Sequence, residues 1–138
     1  MSLVDYSDIQ GDIENAPEPK VLPAGTEVKV KIISVRTGNS DKNDCNWFSP
    51  IFEVPDESMA KEFNSFFWEL DKTHLTAKEY ARTLYDFKLF AKAFGLDLSR
   101  PFDPEDDLVG LEGWVIVGVK KSEEYGEQNT IKKYIAGK

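Results

Sequence analysis

The sequence predicts a mainly β fold carrying one long helix, and three observations predict it. Short runs rich in Val, Ile, Phe and Trp recur between clusters of Gly, Asn, Asp and Ser. A capping box opens the one stretch with a sustained helical period. That stretch follows the third apolar run and precedes the fourth. At 138 residues the expectation is one folded domain, large enough to build a core without metal or disulfide support.

The first run, Gly25 to Thr37, alternates Val28, Val30 and Ile32 with Lys29 and Lys31, then slips phase so that Ile33 and Val35 become the apolar partners. Such a slip reads as a bulge, which lets one strand bend around a small barrel or serve two sheets. Gly38 to Asp44 is a run of loop formers and predicts a hairpin loop. Asn46 to Val54 puts Phe48, Phe52 and Val54 on one parity and Trp47 and Ile51 on the other. Pro50 cannot donate to a ladder, so that strand is expected to be an edge or to bulge there. Phe63 to Leu70 predicts a third strand, with Phe66, Trp68 and Leu70 assigned to the core and Phe67 facing out.

Thr76 and Glu79 form the capping box of a helix over about Ala77–Phe94. Tyr80, Leu84, Phe87, Ala91 and Phe94 make its apolar stripe, Gly95 suits a left-handed C-cap, and Lys78, Arg82, Lys88 and Lys92 occupy the opposite face. Beyond the acidic, Pro-containing connection Leu98 to Asp107, Leu108 to Val119 predicts a fourth strand with Val115, Val117 and Val119 on one face. Asn129 to Ala136 predicts a fifth, with Ile131 and Ile135 inward and Lys132 and Tyr134 outward.

The net charge of −8 is unevenly placed: Asp5, Asp8, Asp12, Glu14 and Glu18 precede the first strand against Lys20 alone. Residues 1–21 therefore read as a flexible acidic arm and 22–138 as the folded domain. One cysteine, Cys45, and one histidine, His74, are too few for a zinc site or a disulfide framework. A reducing, cytoplasmic compartment fits that usage. No apolar run approaches the roughly 18 residues of a spanning helix, and the N-terminus lacks the order of a signal peptide, so no membrane association is expected. No phosphate loop or nucleophile–base set can be read, and the expectation is a protein that is not an enzyme and needs no cofactor or metal.

Three strands, a helix and two further strands, with a coiled first strand, is the element order of the five-stranded Greek-key barrel called the OB-fold; a mixed α+β sheet with one packed helix is the structural alternative. If the parities hold, Lys29, Lys31, Trp47, Phe67, Lys132 and Tyr134 share the outer surface, flanked by Lys42 in one loop and Lys120, Lys121 and Tyr125 in another. Interleaved lysines and aromatics suit a single-stranded polynucleotide. Ammonium groups neutralise phosphates, and ring faces stack on unpaired bases at roughly 1–3 kcal/mol each whatever the base.

From about residue 22 to residue 136 the chain also resembles a family of small phage OB-fold single-stranded DNA-binding proteins. The resemblance lies in Leu22 to Gly25 before a Lys/Val-alternating strand, Trp47 to Val54 after a polar loop, and a helix ending in Phe94-Gly95-Leu96. Leu108 to Gly110 opening the fourth strand and Tyr125 to Asn129 before the fifth complete it. It implies binding by the first-strand lysines, Trp47 and the last hairpin, and a task of shielding single strands in phage replication or recombination, with proteins of those processes as partners. The chain departs from many such proteins in lacking an acidic C-terminal tail: it ends Ala136-Gly137-Lys138, with its acidic segment at the other end. The competing reading is an acidic OB-fold protein-interaction module, or a phage inhibitor that binds a host protein. RNA preference, cooperativity and oligomeric state stay open.

Overall fold

A computed structural model describes residues 2–137. Six strands form one antiparallel sheet: β1 (Glu27–Asn39), β2 (Asn46–Glu53), β3 (Phe63–Asn64), β4 (Phe67–Trp68), β5 (Glu112–Ser122) and β6 (Gly126–Ile135). Helix α1 (Gln10–Glu14) precedes them, α2 (Ala77–Phe94) lies between β4 and β5, and the short α3 (Pro104–Asp107) leads into β5. The pairing order is β3-β2-β1-β5-β6, with β4 also on β2. Among the described residues no ladder joins β6 to β3 or β4, so the sheet is barrel-like but not closed. Across that seam the Tyr134 and Ser65 hydroxyls share a 2.7 Å hydrogen bond.

The phase slip in β1 is real. Its register against β2 shifts between Ile32 and Ser34, leaving Ile33 as the bulged residue. The bulge falls where β1 changes partners, since Lys31 stands opposite both Glu112 on β5 and Glu53 on β2. Pro50 acts differently from either expectation, because β2 is neither an edge nor bulged there. The Pro50 carbonyl accepts from the Ser65 N–H at 3.1 Å, so its ring nitrogen faces the same side of β2. The Ser65 carbonyl, deprived of a backbone donor, takes the Ser49 hydroxyl instead. The ladder breaks at Ser65 and Phe66, and the expected third strand becomes β3 and β4.

Helix α2 has the predicted bounds. Thr76 accepts from the Glu79 N–H, Glu79 accepts from the Thr76 N–H, and Gly95 closes the helix at φ 69°. Its buried side is Thr83, Phe87, Phe90, Ala91 and Phe94, whereas Leu84 is 48% exposed. The stripe is thus turned from the predicted one, because Phe90 rather than Leu84 faces the sheet, with its ring 5.0 Å from that of Phe67. Phe94 stacks on Phe52 at 5.8 Å, and the end of α2 seats on Gly113, where a Cβ would lie 2.9 Å from the Ala93 carbonyl oxygen. Val30, Ile32, Phe48, Phe52, Phe63, Phe67, Val115 and Val117 complete the core from the strands. No helix among the described residues is long and apolar enough to cross a membrane.

Residues 2–20 are exposed, and Ser7–Ile9 forms a 3-10 turn running into α1. The body begins at a sharp anchor. The Lys20 N–H donates to the Met59 carbonyl at 2.7 Å, and the Asn129 side chain bonds both the N–H and the carbonyl of Leu22 at 2.9 Å. Asn129 thereby pairs buried Leu22 as a neighbouring strand would, leaving no backbone group of that residue unsatisfied.

Candidate functional site

The outer face of β2 and β4 carries a row of aromatics. Trp47 stands opposite Gly38 on β1 and opposite Trp68 on β4, and Phe66 lies between the rings. Ring centroids are 5.4 Å apart for Trp47 and Phe66 and 4.9 Å for Phe66 and Trp68, the second pair edge to face. Gly38 makes room for the first ring: a Cβ there would sit 2.6 Å from Cζ2 of Trp47, so the indole lies against bare β1 backbone. Phe66 is 49% exposed, and Trp47 and Trp68 are half-buried.

Two grooves meet this row. One, of about 370 Å³, is lined by Arg36, Trp47, Ser49, Glu62, Asn64 and Phe66 among others, which gives stacking surface beside a guanidinium, one carboxylate and neutral hydrogen-bonding groups. The other, of about 840 Å³, lies past Trp68 and is walled by Asp44, Glu69 and Asp71, with His74 and Lys72. His74 Nδ1 donates to the Asp44 carbonyl at 2.6 Å, tying the β1–β2 loop to the segment before α2, and that bond raises the imidazole pKa. Three carboxylates stand on that side against one, Glu62, beside Arg36, so the Arg36 side of the row is the less repulsive to an anion. Burial, reinforced by Asp71 and Glu69, raises the pKa of the Cys45 thiol and keeps it protonated and unreactive.

The residues expected to bind are not all gathered. Trp47 is in the row, and exposed Lys42 stands in the loop beyond it. Lys29 and Lys31 are on the outer face but half-buried and matched by carboxylates, Lys29 Nζ lying 3.7 Å from Glu112 and Lys31 standing opposite Glu53. Lys120, Lys121 and Tyr125 are exposed at the β5–β6 hairpin, and Lys132 is exposed on β6; both strands lie beyond β1 from the aromatic row. Trp114, opposite Lys29, shares the outer parity of β5.

Two expected site residues belong to the core. Phe67 is 3% exposed and packs on Phe48, Phe87 and Phe90. Its direction is set by register, because it stands opposite inward-facing Phe48, and the same register turns Phe66 and Trp68 outward. Tyr134 packs its ring against Phe90 and Phe94, and burial raises its phenol pKa strongly despite the Ser65 hydrogen bond. The cause is a bulge in β6: Val117 pairs with Ile131 and Ile116 with Lys133, so Lys132 is the extra residue and the parity reverses after it.

Phe66, Trp68 and Arg36 belong to this candidate face and were not among the residues expected from the sequence. One signal was available for the first two: they share a parity, so whichever way Phe67 points, both point the other way. Among the described residues no group of three or more His, Cys, Asp or Glu side chains converges as a metal site would require. No protein-family model matches the sequence, and no curated protein matches it either.

Proposed function

We propose that the protein is a sequence-tolerant single-stranded DNA-binding protein built on an OB-fold barrel. The observation that carries the reading is the outward row Trp47, Phe66 and Trp68 beside Arg36, three aromatic rings on a sheet face with a cation at their edge. Unpaired bases stack on such rings without regard to identity, while Arg36 and Lys42 neutralise the backbone that runs past them. Lys120, Lys121, Tyr125 and Lys132 extend the contact when the strand crosses β1, with Lys29 and Lys31 contributing less because carboxylates already face them.

The pairing order, with α2 between β4 and β5, supports the barrel reading. It is the order of an OB-fold whose third strand is broken into two and whose last seam is bridged by Tyr134 and Ser65 instead of a ladder. The phage replication or recombination setting rests on the resemblance alone.

Fluorescence anisotropy of a labelled oligo-dT of about 30 nucleotides, long enough for the roughly 4–16 nucleotides one such fold occludes, tests the reading. Binding that weakens with salt at a slope near −0.7 per neutralised phosphate, and that duplex does not compete away, is the expected result. No binding at low salt overturns it and favours the acidic protein-interaction module.

A further inference from the structure

Outside the aromatic face, the molecule leaves two complementary surfaces uncovered. The first is a groove of about 630 Å³ along the outer flank of α2, walled by Leu84, Phe87, Ala91 and Leu98 and rimmed by Lys88 and Lys92. Leu84 and Leu98 are exposed although the groove is otherwise strongly apolar. The second surface is the N-terminal segment. Tyr6, Ile9 and Ile13, spread over the 3-10 turn Ser7–Ile9 and α1, are all exposed. Asp5, Asp8, Asp12 and Glu14 are interspersed among them in the sequence. An apolar trough with a cationic rim and an acidic segment carrying exposed apolar side chains are complementary in charge and in apolar character.

The segment of the same chain does not cover the groove: residues 2–20 are exposed, Tyr6, Ile9 and Ile13 among them.

We propose that the α2 groove is the docking site for the acidic N-terminal segment of a second copy of the chain, so that two molecules associate by exchanging arms. Ile9 and Ile13 would enter between Leu84 and Leu98, with Asp12 and Glu14 against Lys88 and Lys92. The inference stands apart from nucleic-acid binding, because neither surface belongs to the aromatic row.

Sedimentation velocity of the full chain over a wide concentration range tests it. The expected result is a reversible dimer that Ile9→Ser/Ile13→Ser and Leu84→Glu each weaken by about tenfold or more, a difference of at least one decade in Kd. All these positions are exposed, so thermal melts should match the parent. A labelled Leu84→Glu chain, whose arm is intact, should bind the Ile9→Ser/Ile13→Ser chain, whose groove is intact, but not itself. A monomer at every concentration, a dimer unmoved by the arm substitutions, or a failure of the two variants to associate would overturn the proposal.

Discussion

The two faces of the one sheet spend the same residue type in opposite ways. On the inner face Phe48, Phe52, Phe63 and Phe67 are enclosed by α2 and stack on Phe87, Phe90 and Phe94. On the outer face Trp47, Phe66 and Trp68 touch one another, with no second layer over them. Phe66 and Phe67 are consecutive, yet one is half exposed and the other buried. The difference teaches that aromatic content says little about role, whereas register against β2 decides it. Stability should reside on one face and ligand binding on the other.

The largest expected effect lies on the inner face. Phe90 is fully buried and touches Phe67, Phe87, Phe94 and Tyr134, so Phe90→Ala should cost about 3–5 kcal/mol in a denaturant melt. A loss under 1 kcal/mol would dissolve the contrast between the faces. On the outer face Trp47→Ala should weaken oligo-dT binding by about 1–3 kcal/mol while moving the melt far less. Binding is read by anisotropy titration and the melt by circular dichroism.

Tyr134 sharpens the comparison through pH. Its phenol has a raised pKa in the folded state, so above the ordinary tyrosine value of about 10 the unfolded chain sheds a proton that the folded chain keeps. The unfolded state then binds fewer protons, and stability falls as pH rises through that range, by up to about 1.4 kcal/mol per unit. Tyr134→Phe should remove this slope, as measured by denaturant melts at pH 9, 10 and 11. The smallest effect belongs to the first-strand lysines. Since Glu112 lies 3.7 Å from Lys29 and Glu53 faces Lys31, Lys29→Ala/Lys31→Ala should change the salt slope of binding less than Arg36→Ala alone.

The helix and the β1 bulge were legible because both are written locally. Thr76, Glu79 and Gly95 mark the ends of α2 within a few residues, and the slip from Ile32 to Ile33 is visible in the run itself. What was not legible depends on partners far along the chain. The inward turn of Phe67 comes from pairing with Phe48, and that of Tyr134 from an extra residue at Lys132 that no glycine or proline announces. Asn129 acts on Leu22, 107 positions away. The break at Pro50 was visible as an anomaly, but its remedy through the Ser49 hydroxyl was not. For the candidate site, the outward parity of Trp47 was legible, while Phe66 and Trp68, which join it, were set on the wrong face.

One comparison tests the division of labour most directly: the melt and the oligo-dT affinity of Phe66→Ala beside those of Phe67→Ala. The first should keep the parent melting temperature and lose binding by about 1–3 kcal/mol, and the second should lose about 3–5 kcal/mol of stability. A Phe66→Ala protein that binds as well as the parent, or that unfolds as readily as Phe67→Ala, would contradict the assignment of the outer aromatic row as the ligand face.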